Sequence, residues 1–357
     1  MNILYIYRYA ILGGVMTQLA HRYRYLSRHC DVRFVFLRNH GGHTLLDPKR
    51  VRIMEDLGEL SRFIRENHFD LIINIDTDEA YGAISEAGYT GLLIHEVHGT
   101  SARIAYLRDL LDKVRPHAFI TPSRYVAQVL QEEYGLGQVD TYVVPNCLDV
   151  DVFQPFPTER AVPGRILLWV GKLNAHKNWQ GFLRVAARIK GMRSDIQVWM
   201  VGGETAGHHT AYHLLNEVGR LGLGSSFKWL ERVDYGRMPH LYALTAASGG
   251  LSVSTSQNES FGMSVIESLA CGCLCVAPQV GALPEVLSGE LSACLYPFFD
   301  EEELVEKILH LLEDDDRRSA LSRLGREEVA RRFAVDRVGE AYLKTLQTIA
   351  AKTRDKW

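Results

Sequence analysis

Short apolar runs alternate with amphipathic stretches along the chain, and this pattern predicts strands alternating with helices. In the first 150 residues the apolar runs predict six strands, at residues 2–7, 31–37, 71–75, 92–97, 117–121 and 141–144. The stretches between them predict helices ending near residue 28 and at 56–67, 79–87, 102–114 and 123–134. Alternation of this kind is typical of a doubly wound α/β fold with a parallel sheet.

A proline-rich segment without periodicity, residues 154–164, predicts a connector, and the alternation resumes after it. The later apolar runs predict strands at 165–171, 196–201, 227–230 and 246–253. Helical patterns are predicted up to about 190 and at 211–221, 238–244, from 261 onward, 301–312, 315–331 and 335–352. A length of 357 residues exceeds what one core usually holds, so two α/β domains are expected.

Composition narrows the class of protein. Hydrophobic residues make up 46% and charged residues 23%, as in ordinary globular proteins. A net charge of -3 with a pI near 6.5 disfavours nucleic-acid binding. The sequence lacks an apolar run of the ~18 residues that a membrane helix needs. It also shows no basic-then-apolar leader, so we expect a cytoplasmic protein.

The six cysteines do not form the framework of a small disulfide-rich domain, which also favours a reducing compartment. Cys271, Cys273 and Cys275 alternate in a way that superficially resembles a metal motif. Because they follow a helical pattern and lead into an apolar run, we interpret them as small buried residues. No metal site is predicted.

The segment 254–270 combines a polar turn with a following helix, after a run of small and β-branched residues. A strand, turn and helix in this order direct backbone N–H groups and the positive end of the helix dipole at a ligand, typically a phosphate. Glu259 in the turn and Glu267 in the helix could grip the two hydroxyl-bearing ends of a nucleotide sugar. Alternatively, Glu259 only complements the helix dipole and Glu267 is a solvated surface residue, and spacing does not separate these interpretations.

Other loops at the carboxyl ends of predicted strands carry candidate ligand groups, because ligands of such sheets bind at that edge. Lys172 and Lys177 flank one such loop and could meet a diphosphate, although each could be an ordinary surface lysine. His98 follows another strand and is a candidate site residue. Gly13 and Gly14 permit close approach of the backbone to a ligand, with a plain tight turn as the alternative.

The first sixty residues are locally basic, which has two explanations. A solvated face is the commoner one, and contact with anionic lipid or a phosphate-bearing acceptor is the more specific one. The residues concerned are Arg22, Arg24, Arg28, Arg33, Arg38, Lys49, Arg50 and Arg52.

Taken together, these motifs resemble those of family 4 glycosyltransferases over nearly the whole chain. The most specific match is the E-x7-E signature, present as Glu259 and Glu267, and the others are 144–146, the Gly13–Gly14 loop, 170–177 and 281–286. The resemblance implies a GT-B fold, two Rossmann-like doubly wound parallel-sheet domains facing a cleft. It implies an acceptor-binding domain at 1–155, a donor-binding domain at 164–334, and a helix at 335–357 that crosses back to the first domain.

The resemblance also implies residue roles. Glu259, His98 and Lys177 would be catalytic: Glu259 would bind the hydroxyls of the donor sugar, His98 would approach the sugar ring, and Lys177 would neutralise the leaving diphosphate. Lys172 and Gly14 would contact the diphosphate of the donor. Ser260 and the backbone amides of Phe261, Gly262 and Met263 would contact its sugar and phosphate. Glu267 would bind the ribose, and Arg232 would lie beside the nucleobase.

Three positions depart from the pattern of the family. Lys172 replaces the usual arginine, and keeps the charge while losing the bidentate fork. Ser260 replaces a glycine, which is tolerable only if that position has no positive φ. Ala282 replaces the second glycine of the late motif, whereas the first is kept as Gly281.

We therefore expect a retaining, metal-independent hexosyltransferase without a cofactor. Its co-substrate would be a nucleotide-diphosphate sugar, with a UDP-sugar as the expected donor. The acceptor would be a glycan or lipid-linked sugar of cell-surface polysaccharide synthesis, or a small molecule. Peripheral contact of the protein with the inner face of an anionic membrane is an option. No nucleic-acid partner is expected. Two alternatives stay open: a non-hydrolysing sugar-nucleotide epimerase, and a catalytically silent sugar-nucleotide-binding subunit of a partner enzyme.

Overall fold

The structure is a computed structural model that describes residues 1–99, 101–157, 162–203 and 206–354. It divides into two compact units. Unit 1 comprises Met1–Leu148 together with Phe333–Trp357, and unit 2 comprises Asp149–Arg332. Unit 1 is therefore built from two separate stretches of sequence, whereas unit 2 is one continuous stretch.

Unit 1 contains a seven-stranded parallel sheet in the order β3-β2-β1-β4-β5-β6-β7. Its strands are β1 (Asn2–Ile11), β2 (Asp31–His40), β3 (Val51–Ile53), β4 (Leu71–Ile75), β5 (Leu92–Glu96), β6 (Ala118–Thr121) and β7 (Thr141–Val143). Its helices are α1 (Gly14–Leu26), α2 (Leu57–Glu66), α3 (Ala80–Glu86), α4 (Leu110–Lys113), α5 (Arg124–Glu132) and a last helix at Val335–Arg354.

The sheet of unit 1 is covered on both faces, as expected for a parallel sheet. Successive residues of β1 alternate between two apolar cores, with Leu4 and Ile6 in one and Ile3 and Tyr5 in the other. The helix Val335–Arg354 packs into the second core, to which it contributes Val335, Val338, Tyr342, Leu346 and Ile349. The last helix thus completes one face of this sheet.

Unit 2 contains a six-stranded parallel sheet in the order β10-β9-β8-β11-β12-β13. Its strands are β8 (Arg165–Val170), β9 (Ile196–Val201), β10 (Phe227–Leu230), β11 (Leu251–Val253), β12 (Cys275–Pro278) and β13 (Leu295–Tyr296). Its helices are α6 (Trp179–Met192), α7 (His208–Arg220), α8 (Met238–Ala247), α9 (Met263–Ala270), α10 (Leu283–Val286), α11 (Glu301–Glu313) and α12 (Asp315–Phe333, whose last residue is assigned to unit 1), so that the helix Val335–Arg354 is α13.

The prediction of two doubly wound parallel sheets is confirmed. Helix starts follow the capping residues of the sequence: Ser123 caps α5 by accepting from the N–H of Val126 (3.2 Å), and Asp56 caps α2 by accepting from the N–H of Glu59 (2.7 Å). No helix in the described ranges has the length and apolar character needed to cross a membrane.

Two local predictions are wrong, and two short strands were missed. The strand predicted at 246–253 begins only at Leu251, because the small residues before it finish α8 and its turn. The helix predicted at 102–114 is a 3₁₀ helix at Ser101–Asp109 followed by the single turn α4. The short edge strands β3 and β13 were not predicted. Residues 158–161 of the predicted connector, and 355–357 of the predicted last segment, lie outside the described residues.

Candidate active site

Two loops of unit 2 meet at the carboxyl-terminal edge of its sheet. β8 and β11 are neighbouring parallel strands, and they are followed by the loops 171–178 and 254–262. The hydroxyl of Thr255 donates to the carbonyl of Lys177 (3.0 Å) and accepts from the indole N–H of Trp169 (3.1 Å). These bonds hold the two loops against each other, so side chains from both lie together at the carboxyl-terminal edge of the sheet.

Lys177 is positioned by its own loop and directs its ammonium group at Glu259. It ends a short 3₁₀ turn whose N-cap is Asn174, and the Asn174 side chain accepts from the backbone N–H of Lys177 at 3.0 Å. The Lys177 Nζ lies 2.5 Å from Oε1 of Glu259, and the two side chains are 25% and 14% exposed. The structure thus brings two of the predicted catalytic residues together in a mostly buried ion pair.

Glu259 is held as a carboxylate on a constrained backbone. Burial alone would raise the pKa of its carboxyl, but the Lys177 ammonium outweighs burial and lowers that pKa below its usual value. The carbonyl of Glu259 accepts from the N–H of Ala282 at 2.8 Å. At Gly281, with φ at +53°, a Cβ would lie 2.3 Å from the Glu259 carbonyl oxygen, so only glycine fits. Ala282 needs no such freedom, which explains why this departure is tolerated.

The segment that precedes α9 turns through Gly262, whose φ of 104° is in the left-handed region. Phe261 and Met263 on either side are buried. Among the described side chains none caps α9, and the N–H groups of Val265 and Ile266 donate to the carbonyl of Gly262, so the N–H groups of Met263 and Ser264 are the ones that can meet an anion. Ser260 is not among the described non-glycine residues with a positive φ, which meets the condition on which its exchange for glycine depends.

Glu267, eight residues after Glu259, lies in α9 in very different surroundings. It is 5% exposed, so the alternative of a solvated surface residue is wrong. Its Oε1 accepts from the hydroxyl of Tyr235 (3.0 Å) and its Oε2 from the hydroxyl of Tyr242 (3.2 Å). Burial raises the pKa of the Glu267 carboxyl to about 7, and the two tyrosine hydroxyls lower it only in part.

The two remaining predicted donor residues of unit 2 lie in loops of the same kind. Lys172 is the second residue after the end of β8 and is partly exposed, and its carbonyl accepts from the N–H of Asn174 at 2.8 Å. Arg232 is exposed in the loop after β10. The end of strand β10 is anchored by Trp229, whose indole N–H donates to the carbonyl of Gly202 at 2.8 Å.

In unit 1 the predicted site residues lie at the ends of β1 and β5. Gly14 is the exposed first residue of α1. His98 is 7% exposed, its Nε2 lies 2.7 Å from Oε1 of Glu96, and its backbone N–H donates to Oδ2 of Asp76 at 3.0 Å. Both the ring and the backbone of His98 are therefore fixed by carboxylates. Thr100, two residues after His98, lies outside the described residues.

The basic residues of the first sixty positions do not form one free cationic face. Arg22 is 1% exposed and pairs with Glu96, so it is unavailable to a membrane surface. Three others are paired with carboxylates, namely Arg28 with Asp336 and both Arg33 and Arg50 with Asp31. Arg24, Arg38, Lys49 and Arg52 are exposed.

Cys271, Cys273 and Cys275 are buried and unbridged. Burial raises the pKa of the Cys273 thiol to about 12, so it stays a neutral, small apolar group at physiological pH. In the described part of the chain, no cluster of three or more His, Cys, Asp or Glu side chains has the arrangement of a metal site.

Sequence reasoning missed four residues that shape these sites. Tyr235 and Tyr242 surround Glu267, while Arg22 and Glu96 form the buried pair beside His98. Glu96 could have been found as the one carboxylate in the buried strand β5, where it follows His95. The tyrosines carry no such signal, because aromatic residues in a helix most often serve the core.

Both halves of the chain match families of known proteins. Residues 12–152 match the family model described as Glycosyltransferase Family 4, and residues 153–328 match the one described as Glycosyl transferases group 1. The chain is 27% identical over 288 residues to D-inositol 3-phosphate glycosyltransferase of Thermobispora bispora, which covers 72% of the chain and 66% of that protein. It is 28% identical over 198 residues to the Salinispora tropica protein of the same name, covering 54% and 40%. The chain thus spans less than two thirds of the length of either relative.

Among solved structures, the fold resembles that of Anabaena Alr3699/HepE, crystallised with UDP and glucose. The TM-score is 0.82 at 18% identity, covering 97% of this chain and 99% of that one. A glycosyltransferase from Rickettsia africae gives a TM-score of 0.80 at 17% identity, covering 98% of each chain. At this level of identity the likeness is one of fold.

Proposed function

This chain belongs to the family 4 glycosyltransferases and has the GT-B fold, and from that premise we propose that it transfers a hexose-type sugar from a UDP-sugar to an acceptor hydroxyl with retention of anomeric configuration. The observation that carries the proposal is the convergence in unit 2 of Lys177, Glu259 and the N-terminus of α9 at one sheet edge. An ammonium group and free helix N–H groups suit a diphosphate, and a fixed carboxylate beside them suits the hydroxyls of a sugar.

We propose one role for each of these groups. The Glu259 carboxylate accepts hydrogen bonds from hydroxyls of the donor sugar, with the N–H groups after Ser260 meeting the phosphate next to it. Glu267 receives the ribose hydroxyls, and Arg232 lies along the nucleobase. Lys172 and Lys177 neutralise the diphosphate, which gains charge as the glycosidic bond breaks. The roles expected for Gly14 at the diphosphate and for His98 at the sugar ring stay predictions.

In the proposed reaction the bond between the anomeric carbon and the diphosphate oxygen breaks. A bond from the acceptor oxygen to the same carbon forms on the same face of the sugar. The acceptor proton moves to the departing phosphate oxygen, so UDP leaves as the protonated product and no enzyme nucleophile is needed. Because lysine side chains rather than a metal ion would stabilise the leaving diphosphate, we expect a metal chelator to leave the transfer rate unchanged.

The choice of uridine is supported by the HepE structure with UDP, and the acceptor is proposed by class only. The inositol-phosphate relatives favour a small-molecule acceptor, and the exposed Arg24, Arg38, Lys49 and Arg52 favour a glycan or lipid-linked sugar at an anionic membrane. Sedimentation with anionic liposomes separates the two: a cytoplasmic enzyme with a soluble acceptor stays in the supernatant, and one acting at the inner membrane face pellets.

A screen of UDP-, GDP- and ADP-sugars by thermal shift and by release of nucleotide diphosphate tests the proposal. A donor that binds the folded protein raises its melting temperature by mass action. We expect a UDP-sugar to give the largest shift and Lys177→Ala to lose most of it. Lys344→Ala, the same change at an exposed position of α13, should keep the full shift. If no nucleotide sugar raises the melting temperature of the wild-type protein, the proposal fails.

A further inference from the structure

A buried polar network in unit 1 connects three elements around Glu96. Arg22 of α1 and Glu96 of β5 are each 1% exposed, with Arg22 Nη1 2.5 Å from Oε1 of Glu96. The hydroxyl of Tyr342, from α13, donates to the other oxygen, Oε2, at 2.8 Å. The Arg22 guanidinium also lies over the Tyr342 ring at 3.7 Å, and Tyr5 donates to the Tyr342 hydroxyl at 3.0 Å. The position of the carboxylate is therefore fixed from several directions.

Glu96 also contacts the proposed catalytic histidine. Its Oε1, which receives Arg22, lies 2.7 Å from Nε2 of His98. Burial would raise the pKa of Glu96, but Arg22 and His98 outweigh burial and lower it to about 2. An ionised carboxylate can only accept hydrogen bonds, so the proton of this bond must be on Nε2 of His98.

A purely structural role explains this network poorly. Burying an ion pair costs desolvation free energy that the pairing often does not recover, and apolar residues of similar volume frequently serve stability as well. Arg22 additionally leaves its Nε and Nη2 buried without a partner among the described residues. A network that is costly in this way and ends on a histidine ring fits a role in orienting that ring.

We propose that Glu96, held by Arg22 and Tyr342, is a positioning residue that keeps the His98 imidazole in its Nε2–H tautomer, with Nδ1 as the acceptor for a hydroxyl of the transferred sugar. The role of Nδ1 as acceptor for a sugar hydroxyl rests on the proposed function of His98. The effect of Glu96 on the tautomer of His98 does not depend on that function. Asp76 completes the arrangement, since its Oδ2 accepts from the backbone N–H groups of His98 (3.0 Å) and Gly99 (2.6 Å).

The tautomer can be measured directly by ¹⁵N NMR of labelled histidine, about two pH units above the usual histidine pKa of 6.5. The His98→Gln spectrum identifies the resonances by their loss. We expect wild-type His98 to carry its proton on Nε2. In Arg22→Met/Glu96→Leu both buried charges leave together, so the fold is retained, and we expect a mixture of the two tautomers. Tyr342→Phe keeps the carboxylate and should keep Nε2–H.

Kinetics then test the link to catalysis. For the double variant we expect kcat to fall about tenfold or more, with the KM for the donor within a few-fold of wild type, because a wrong tautomer impairs chemistry rather than binding. Tyr81→Phe, which removes the hydroxyl that bonds the other buried histidine, His95, is the matched control and should retain wild-type kcat.

The outcomes are distinguishable. A wild-type proton on Nδ1, or Nε2–H unchanged in the double variant, overturns the inference whether or not the protein is active. A changed tautomer with unchanged kcat, in a protein whose transfer is abolished by His98→Ala, overturns the positioning role. If the tautomer behaves as expected but His98→Ala transfers sugar at the wild-type rate, the role of Glu96 on the ring stands and the proposed function of His98 fails.

Discussion

The two ends of the Glu259–Glu267 segment present the same side chain in opposite electrostatic surroundings. Glu259 meets an ammonium group, and its pKa is lowered despite burial. Glu267 meets two neutral hydroxyls, from Tyr235 and Tyr242, and burial raises its pKa to about 7. The signature in the sequence is symmetrical, but the structure fixes the charge at one end and leaves it able to change near neutral pH at the other.

This difference suggests different contributions to the proposed reaction. A carboxylate already compensated by Lys177 can act where charge develops without gaining or losing a proton. A carboxyl such as that of Glu267, whose partners are neutral hydroxyls, can become an anion when a ligand supplies further hydrogen-bond donors. We therefore expect Glu259 to matter for the rate and Glu267 for donor binding and its pH dependence, and the following experiments test that division.

The largest effect is expected at Glu259. Glu259→Gln keeps the shape but leaves the Lys177 ammonium without its anion, and we expect kcat to fall by about 100-fold or more. Steady-state kinetics with the identified UDP-sugar measure this loss. Glu217→Gln removes the anion of another ion pair, the one with Arg220 in α7, and as the control it should stay near the wild-type rate. A kcat for Glu259→Gln within threefold of wild type would remove Glu259 from the chemistry.

Glu267→Gln should weaken the donor and stabilise the protein. Loss of the anion for the ribose hydroxyls should raise KM about tenfold, with kcat little changed. In the unfolded chain the carboxyl ionises near its ordinary pKa of about 4.3, whereas in the folded protein it ionises only near 7. Stability is therefore lost as pH rises between these values, and above pH 7 the glutamine variant should be more stable by about 1–3 kcal/mol.

Denaturant unfolding at a pH one unit below 4.3 and at one above 7 measures that gain. The difference between variant and wild type should be present at the higher pH and absent at the lower one. A glutamine variant that is less stable than wild type at both pH values would show that Glu267 is ionised in the folded protein.

The affinity for the donor should depend on pH through the same group. If the ribose hydroxyls donate to the Glu267 anion, the wild-type Kd for a UDP-sugar should decrease several-fold as pH rises through about 7. The esterified diphosphate of the donor lacks the phosphate proton that titrates near pH 6, so the ligand does not obscure the effect. Calorimetry at a series of pH values should show this dependence in wild type, and a flat profile in Glu267→Gln. If the Kd were independent of pH in both wild type and Glu267→Gln, Glu267 would not change its charge on donor binding, and the proposed difference between Glu259 and Glu267 would be wrong.

The smallest effects are expected at the two tyrosines. Tyr235→Phe and Tyr242→Phe each remove one hydroxyl from Glu267, and we expect each to cost about 1 kcal/mol of stability. The Tyr242 change should be the larger of the two, because Tyr242 is completely buried and Tyr235 is partly exposed. Thermal unfolding of both variants at one pH tests the order.

The sequence predicted the fold well where one feature dominates a segment. The apolar runs of β4 and β9 were predicted with their observed bounds, because a strand buried on both faces leaves little ambiguity. It failed for β3, where three residues after a basic stretch pair at a sheet edge. It also failed where small residues such as Ala246 and Ala247 suit both helix and strand.

The candidate site was predictable as loops at strand ends, but not in its electrostatics. Parallel topology alone brings the loops of Lys177 and Glu259 to one edge. The partners that set charge come from afar: Arg22 and Glu96 are 74 positions apart, and Tyr235 is 32 from Glu267. No local pattern encodes contacts of that range, because they depend on which helix covers which face of a sheet.

The two-segment construction of unit 1 has a consequence for synthesis on the ribosome. The first 148 residues emerge with one face of their sheet still lacking α13, and with Glu96 still lacking Tyr342. Unit 2 is complete in sequence before those residues are translated. Until α13 is translated, the nascent chain therefore exposes the part of the apolar sheet face that Val338, Tyr342, Leu346 and Ile349 cover in the finished unit 1.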